Sequence, residues 1–277
     1  MTVAGKEIRL KRLIQQRSGT SIICALDHGM TSPTFFERLV NLEQRVQEAV
    51  QGGANVIMMS KGMIERFSGS FKPDTSFAML LTASALGAEE RPVVRIGEVE
   101  EALRHGADAV VVFVALGGES EPDMIRFVAR VGEDCERLGI PFIAEAEFPT
   151  TYAPIEDLND QYGVEYLLRN VRLCVELGAD IVKTNWSGDQ ESFARVVAAT
   201  SGVPVVLAGG SQVTDMELLT RMRMAIDVGA IGCSIGRNIF LHDHPEALTR
   251  ALARVIREGW SAEDAMAELK QAVAAST

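Results

Sequence analysis

The sequence has few cysteines, few lysines and no long apolar runs. Its four cysteines show no paired close spacing, and it contains neither a signal-peptide core nor a segment long enough to span a bilayer. The 277 residues carry a formal net charge of −11, without the clustered Lys and Arg that bind nucleic acid or anionic membranes. We therefore expect a soluble protein of a reducing compartment, without nucleic-acid or membrane partners, in which a local site must hold any anionic substrate.

Helices are predicted at both ends of the chain. The one basic stretch, KEIRLKRLIQQR at 6–17, could lie on a membrane surface, but we favour a helix packed on the domain with its charges in solvent. Two further helices are predicted at 245–258 and 261–274. Pro245 suits the first turn of the former, and Ser261 suits the N-cap of the latter.

Short apolar segments recur between them, each followed by a polar loop and a segment of helical periodicity. Continuous hydrophobicity is typical of strands covered on both faces, and strand–helix alternation indicates a parallel sheet. The third unit is the weakest, because 91–97 could supply its strand instead. The eight predicted strands are 21–27, 54–60, 77–83, 108–115, 141–146, 179–184, 203–208 and 230–235.

Four of these strands follow a Gly-Ala pair that marks a helix end. Gly53, Gly106, Gly178 and Gly229 would supply left-handed caps. Eight such units predict an α/β fold, a (β/α)8 or TIM barrel, as a single domain over 1–277. An open doubly wound sheet is the alternative, but no G-x-G-x-x-G turn follows the first strand.

Polar residues gather where the predicted strands end. In such barrels the active site lies at the C-terminal ends of the strands, so these residues are its candidates. They are Asp27-His28-Gly29, Ser60-Lys61-Gly62, Ala83-Ser84, Glu145 to Phe148, Lys183-Thr184-Asn185, Gly209-Gly210-Ser211 and Gly236-Arg237-Asn238.

Only six lysines are present, and only Lys61 and Lys183 end apolar strands. Desolvation or a second cation would lower the pKa of such a lysine, and the free amine could form a Schiff base with a ketone. The alternative is a structural ion pair with a carboxylate such as Asp27. These residues alone leave the two interpretations balanced.

Two glycine loops favour the nucleophile. LAGGS at 207–211 and SIGRN at 234–238 follow the seventh and eighth strands, where many barrels bind phosphate through backbone N–H groups. Arg237 adds a fixed cation. Either loop alone is a weak signal, but both together in an acidic protein predict a phosphate site.

Most of the chain, from about residue 6 to 258, resembles a known family. The stretches that carry the resemblance are ALDHGM at 25, SKGM at 60, GADAVVVFVALGGESE at 106, GADIVKTNWSGD at 178, PVVLAGGS at 204 and GAIGCSIGRNIFLHDHP at 229. They resemble the class I, Schiff-base aldolases of the DeoC/LacD-like group. That group contains archaeal-type fructose-bisphosphate aldolase, 2-amino-3,7-dideoxy-D-threo-hept-6-ulosonate synthase and the autoinducer-2 processing thiolase.

The resemblance implies a role for several residues. Lys183 would be the Schiff-base lysine and Asp27 an active-site carboxylate near it. It also implies a cytoplasmic homo-oligomer that needs no cofactor and no metal, and His28, His105, His242 and His244 form no recognisable metal set. The residues expected to hold the substrate and its phosphate are Gly209, Gly210, Ser211, Gly236, Arg237, His28 and Lys61.

The loop after the fifth strand departs from the group. Its aldolases carry a Tyr-Pro-Arg-Gly-like loop whose tyrosine carries a proton, whereas this chain has PFIAEAEFPTTYA from Pro141, with Glu147 or Phe148 in the tyrosine position. We expect Glu147 to be the general acid–base, with a pKa raised by burial. Alternatively, Glu145 and Glu147 serve only to balance the positive charge of Lys183 or Lys61. Other candidates for the proton carrier are Glu145, Asp27 and Tyr152.

The expected reaction is the making or breaking of a carbon–carbon bond through a Lys183 iminium of a phosphorylated ketose or ketone. Cleavage of fructose 1,6-bisphosphate fits, as does condensation of a donor such as dihydroxyacetone phosphate with an aldehyde such as an amino-acid semialdehyde. The alternatives are thiolase-like acyl transfer on a phosphorylated diketone, a sugar-phosphate isomerase with no covalent step, and a barrel that binds an effector without catalysis.

Overall fold

Eight parallel strands close into a barrel, and two more form a separate antiparallel pair. The computed structural model describes residues 4–67, 69, 74–84, 93–150 and 152–276. The strands are β1 Ser21–Ala25, β2 Val56–Met59, β3 Ser76–Leu80, β4 Thr82–Ser84, β5 Val93–Arg95, β6 Ala109–Val114, β7 Phe142–Ala146, β8 Ile181–Thr184, β9 Val205–Ala208 and β10 Gly232–Ile235. Their order around the barrel is β1-β10-β9-β8-β7-β6-β3-β2. The predicted (β/α)8 barrel is therefore confirmed.

Helices follow the barrel strands and cover their outer faces. The four glycines predicted to end helices have φ between +77° and +116°, as left-handed caps require. None of the described helices is long and apolar enough to cross a membrane. The helices are α1 Ala4–Leu13, α2 His28–Thr31, α3 Leu42–Gly52, α4 Lys61–Phe67, α5 Val99–Arg104, α6 Glu121–Leu138, α7 Ile155–Glu176, α8 Gln190–Ala199, α9 Asp215–Asp227, α10 Arg237–Phe240, α11 Pro245–Glu258 and α12 Ala262–Ser276, with a 3-10 turn at Glu37–Asn41.

The third unit contains more strand than the sequence indicated. The barrel strand β3 ends at Leu80, and β4 then pairs with β5 in antiparallel register outside the barrel. The segment 91–97 thus does contain a strand, but it adds to the third unit instead of replacing its barrel strand. Residues 91 and 92 lie outside the described residues.

Alternation along the strands sorts their side chains into two buried clusters. Ile143 on β7 and Ile181 on β8 belong to the cluster that fills the barrel interior, whereas Val182 packs toward the helices. Because side chains alternate with a period of two, Glu145 and Lys183 face the interior one layer nearer the C-terminal end. The sequence therefore directs these charged residues into the mouth of the barrel.

Helix α1 packs against the barrel. Leu13 is fully buried in the interior cluster, so the packed-helix interpretation is confirmed. The expectation that its charges are solvated is wrong for Lys6, which is 3% exposed. Its ammonium lies 2.9 Å from Glu136 Oε2 and 3.1 Å from Asp180 Oδ2, because a buried ammonium is stable only beside opposite charge.

Candidate active site

Lys183 lies between two glutamates at the C-terminal end of the barrel. Its Nζ donates a hydrogen bond to Glu145 Oε1 at 2.6 Å and lies 2.8 Å from Glu147 Oε1. The register of β7 and β8 pairs Glu145 directly with Lys183, which explains the first contact. All three side chains are buried, as is Asp27. We refer to Asp27, Glu145, Glu147 and Lys183 as the lysine cluster.

The expectation that the pKa of Lys183 is lowered is wrong. Burial does oppose the ammonium, but the attractions of Glu145, Glu147 and Asp27 together outweigh it, so the pKa of Lys183 is raised. A second cation beside Lys183 was considered from the sequence, but the structure places three carboxyl groups around it. The amine must therefore lose a proton to a neighbour before it can act as a nucleophile.

Two carboxyl groups of the lysine cluster, those of Glu145 and Asp27, hold protons unusually well. Burial raises the pKa of Glu145 to about 7, against the attraction of Lys183, and burial likewise raises the pKa of Asp27. One ammonium among three ionised carboxylates would leave excess negative charge in a water-poor site, which is costly. The cluster can consequently store a proton near neutral pH and exchange it between Glu145 and Lys183.

The lysine cluster faces a cavity. A space of about 60 Å³ is lined by all four of its members and by His28 and Tyr152. Lys183 is thus both paired and directed toward space that a small carbonyl group can enter. Pairing with carboxylates and access to a ligand are compatible at this position.

His28 is a neutral member of the cavity wall. Its ring lies 5.0 Å from the ring of Phe240 and 6.2 Å from that of Phe36, and burial lowers its pKa to about 3, assisted by Arg237 and Lys183. At neutral pH it can therefore donate or accept a hydrogen bond without adding charge. Gly236 makes room for it, because a Cβ there would lie 2.3 Å from His28 Cε1.

Asn238 joins the two predicted phosphate loops. Its Nδ2 donates to the carbonyls of Gly209 and Ser211 at 3.0 and 3.1 Å, and its Oδ1 accepts from the N–H of Val213 at 3.0 Å. The loops after β9 and β10 are therefore held together. From the sequence, Asn238 was placed among the polar residues at the strand ends without a role. Only these three contacts show that it links the two loops. Gly210, with φ +61°, lies in the first loop.

Arg237 lies beside the lysine cluster and is buried. Its guanidinium carbon is 4.5 Å from the centre of the Tyr152 ring, an arrangement typical of a cation–π contact. Burial lowers its pKa, but a guanidinium stays charged throughout the physiological range. The structure therefore puts a fixed cation near Asp27 and Glu147. The role of Arg237 in binding phosphate stays a prediction.

The loop after β7 turns Glu147 inward and Phe148 outward. Phe148 is fully buried, with its ring 5.7 Å from Tyr162 and 5.8 Å from Tyr166. Its backbone N–H donates to Asn185 Oδ1 at 2.7 Å, which fixes the turn. Of the two candidates for the tyrosine position, only Glu147 reaches Lys183. Its role as the acid–base group stays a prediction.

Lys61 is engaged elsewhere. Its ammonium lies 2.9 Å from Glu101 Oε1, and its side chain is 42% exposed. Its expected role in substrate binding stays a prediction.

Within the described ranges, no three His, Cys, Asp or Glu side chains are grouped so that they could hold a metal ion. His242 instead approaches Asp215, with Nε2 3.3 Å from Oδ2.

Comparison with known proteins identifies the family. The pattern of the DeoC/LacD family aldolases matches residues 21–242. A 2-amino-3,7-dideoxy-D-threo-hept-6-ulosonate synthase of Halobacterium salinarum is 38% identical over 96% of this chain and 97% of its own. A 2-amino-4,5-dihydroxy-6-oxo-7-(phosphonooxy)heptanoate synthase of Streptomyces griseus is 32% identical over 91% and 90%.

A solved structure agrees with these relatives. It is an archaeal fructose-1,6-bisphosphate aldolase whose catalytic lysine is covalently bound to the carbinolamine intermediate of the substrate. This chain is similar to it with a TM-score of 0.79 and 25% identity, over 91% of this chain and 99% of the other. The resemblance noted in the sequence is thus confirmed, and the chain belongs to the DeoC/LacD family of aldolases.

Proposed function

We propose that this protein is a class I aldolase in which Lys183 forms a Schiff base with a phosphorylated ketone or ketose. The observation that carries the proposal is the position of Lys183 Nζ, which faces a buried cavity while two carboxylates lie 2.6 and 2.8 Å away. The covalently bound lysine of the similar archaeal fructose-1,6-bisphosphate aldolase supports it.

The first step is a proton transfer within the lysine cluster. The Lys183 ammonium gives a proton to Glu145 or Glu147, and the neutral amine then attacks the ketone carbon. A carbon–nitrogen bond forms as the carbonyl π bond breaks, and a proton passes from the attacking nitrogen to the carbonyl oxygen, which becomes the carbinolamine hydroxyl. The protonated glutamate returns its proton to that hydroxyl, water leaves, and an iminium remains.

The iminium then acts as an electron sink. In the synthetic direction a carboxylate removes a proton from the carbon next to the iminium, and the resulting enamine adds to an aldehyde. Glu147 and Asp27 are the carboxylates we assign to proton transfer, because both line the cavity. The carboxylates around Lys183 also compensate the positive charge of the iminium, which stabilises it.

The glycine loops and Arg237 hold the phosphate of the donor. In a chain of net charge −11, Arg237 is a buried cation beside the cavity. Asn238 links the loops after β9 and β10, and we assign backbone N–H groups of these loops to the phosphate. Binding energy from this remote group fixes the carbonyl against Lys183.

We further propose that the physiological direction is condensation of this donor with an aldehyde. The relatives of 38% and 32% identity, which are named as synthases, support this direction. Fructose 1,6-bisphosphate cleavage is the other reaction that fits, through the similar aldolase structure.

We also propose that the protein is cytoplasmic and assembles as a homo-oligomer. The exposure of Phe35 and Val40, at 64% and 68%, supports assembly, which light scattering would test.

A second candidate is an isomerase in which Lys183 never bonds to substrate. The raised pKa of Lys183 favours it, because an ammonium can polarise a carbonyl while a glutamate removes a proton.

Treatment with borohydride distinguishes the aldolase from the isomerase. We expect treatment with dihydroxyacetone phosphate or fructose 1,6-bisphosphate to add the reduced donor to the Lys183 peptide, as read by mass spectrometry.

The Lys183→Ala variant should show no adduct, while the exposed control Lys11→Ala should label like the wild type. Absence of an adduct on the wild-type protein, together with interconversion of an aldose and a ketose phosphate, would establish the isomerase instead.

A further inference from the structure

Asn185 is a buried amide that contacts the side chain of Glu147. It directly follows β8 and is 1% exposed. Its Oδ1 accepts from the backbone N–H of Phe148 at 2.7 Å, and its Nδ2 donates to Glu147 Oε2 at 3.4 Å. The second contact is long, as is common for catalytic hydrogen bonds before a substrate binds. Asn185 thus contacts both the loop after β7 and the carboxyl group to which we assign proton transfer.

The two oxygens of Glu147 have different neighbours. Oε1 lies 2.8 Å from Lys183 Nζ, at the cavity that both side chains line. Oε2 lies on the side of Asn185. An ionised carboxylate accepts hydrogen bonds at both oxygens, but a protonated one carries its hydrogen on a single oxygen. A proton on Oε1 would lie beside Lys183 and the cavity, whereas a proton on Oε2 would meet the N–H of Asn185.

The contact with Phe148 determines which way the amide of Asn185 points. If the amide were turned over, its NH2 group would face the Phe148 N–H, and this buried donor would lose its acceptor. The carbonyl oxygen of Asn185 therefore stays at Phe148, and the NH2 group stays at Glu147 Oε2. Toward Glu147, Asn185 can only donate.

The backbone of Glu147 is held by other groups. Asn170 Nδ2 donates to the carbonyl of Glu147 at 3.1 Å, and the N–H of Glu147 donates to the carbonyl of Glu145 at 3.0 Å. Removing the donor of Asn185, while keeping the acceptor for Phe148, should therefore leave Glu147 in place. Such a change would alter only the surroundings of its carboxyl group.

We propose that Asn185 is a positioning residue that keeps the transferable proton of Glu147 on Oε1, the oxygen beside Lys183. The proposal rests on the acid–base role proposed for Glu147. When the donor loses a proton next to the iminium, the C–H electron pair forms the enamine double bond and the iminium π electrons move to nitrogen. The proton bonds to Oε1, from which it can return to the substrate. A proton on Oε2 would be directed away from the cavity.

The test is a double-mutant cycle between Asn185→Asp and Glu147→Gln, with proton exchange on bound dihydroxyacetone phosphate followed by NMR. In Asn185→Asp one oxygen still accepts from Phe148, but the other faces Oε2, so a proton shared by the two carboxyl groups lies away from Lys183. We expect exchange to slow about 10- to 100-fold. Its pH dependence should move up by about one unit, because the new carboxylate adds a like charge. Borohydride should still label Lys183.

The effect of Asn185→Asp should vanish in the Glu147→Gln background, because Asn185 then has no carboxyl group to orient. The remaining exchange rate should change by less than about twofold. A purely structural role would slow exchange in both backgrounds and leave its pH dependence in place. The other charged groups near Glu147 are the same in every variant, namely Asp27, Glu145, Lys183 and Arg237.

The matched control is Asn159→Asp. Asn159 Nδ2 donates to the carbonyl of Trp186 at 3.1 Å, one residue beyond Asn185, and Asn159 does not line the cavity beside Lys183. This variant should leave the exchange rate and its pH dependence unchanged. If Asn185→Asp does not fold, Asn185→Ser takes its place in the cycle, because the shorter side chain cannot span both contacts. It should slow exchange without moving its pH dependence, and only when Glu147 is present.

The outcomes separate this proposal from the proposed function. Normal exchange in Asn185→Asp, or additive effects of the two substitutions, would overturn the role of Asn185 and leave that of Glu147. Undetectable exchange in the wild type, or normal exchange in Glu147→Gln, would overturn the acid–base role of Glu147 and with it this proposal. A wild type that borohydride does not label would overturn the imine alone, and the cycle would still test Asn185 through exchange.

Discussion

The protein contains two buried lysines that are each paired with two carboxylates, and they differ in what lies beyond the ion pair. Lys6 joins α1 to Glu136 and Asp180, and the side chain of Glu136 is 58% exposed. The two partners of Lys183 are both buried, and its amine faces a cavity. Burial and pairing are therefore insufficient to make a lysine a nucleophile. The nucleophilic role proposed for Lys183 is supported by the cavity beside its amine and by neighbours that can hold its proton.

Replacing each lysine by methionine is the strongest test of this difference. Lys183→Met should reduce aldol turnover by roughly 10⁴-fold or more, because the covalent step is lost. Lys6→Met should leave turnover unchanged but lower the free energy of unfolding by about 1–3 kcal/mol, less than for a fully buried pair because solvent screens Glu136. Steady-state rates and denaturant titrations measure the two effects. Normal turnover by Lys183→Met would contradict the proposed mechanism.

Glutamine substitutions distinguish the carboxylate beside Lys183 from the one beside Lys6. Glu147→Gln should slow proton exchange on a bound donor ketone by about 10²- to 10⁴-fold while borohydride still labels Lys183. Glu136→Gln, at the Lys6 pair, should leave exchange unchanged. Exchange is followed by loss of deuterium from the labelled donor in NMR spectra. An unchanged exchange rate in Glu147→Gln would transfer the proton role to Asp27, Glu145 or Tyr152.

A methyl group at Gly236 should disturb the mouth of the barrel. Its Cβ would lie 2.3 Å from His28 Cε1 and 2.6 Å from the Ala25 carbonyl oxygen, so Gly236→Ala should cost about 1–3 kcal/mol of stability and weaken donor binding. Gly62→Ala is the control, because no atom lies within 4 Å of its added Cβ. Thermal unfolding of both variants compares them. Equal melting temperatures would show that His28 and the backbone carbonyl of Ala25 can both move aside freely.

The smallest expected effect is a pH dependence that separates Glu145 from an ordinary glutamate. Because its folded pKa is raised from 4.5 to about 7, its contribution to stability is fully present below about pH 4.5 and is lost as pH rises through 7. Glu145→Gln removes this titration. The melting temperature of Glu145→Gln relative to the wild type should therefore increase between pH 5 and pH 8. A constant difference would show that Glu145 titrates normally.

The barrel could be predicted from the sequence because the signals for its strands and helices are local. Apolar runs and glycine caps lie within single strand–helix units, and Lys183 could be placed because it ends such a run. The β4–β5 pair was missed as a separate sheet, since its two short strands are identified only by their pairing. Glu145 and Glu147 were named from the sequence as possible partners of Lys183 or Lys61. Only the pairing of β7 with β8 shows that Lys183 is the partner of Glu145, which lies 38 residues before it in the chain.

The protonation of the site could not be predicted for the same reason. Its pKa values depend on the sum of burial and several charges, which are brought together from β7, β8 and the loops after β1 and β7. From the sequence, desolvation of Lys183 was expected to dominate, whereas in the folded protein the attraction of Asp27 and the two glutamates does. The choice between Glu147 and Phe148 likewise required the turn that Asn185 fixes.

Asn238 has a consequence for how such a protein can change over evolutionary time. Its amide bridges the two segments after β9 and β10, so neither segment can lengthen or shift alone without breaking contacts made to the other. Insertions or deletions in these two segments are therefore expected to be rare, and the two segments are constrained to change together.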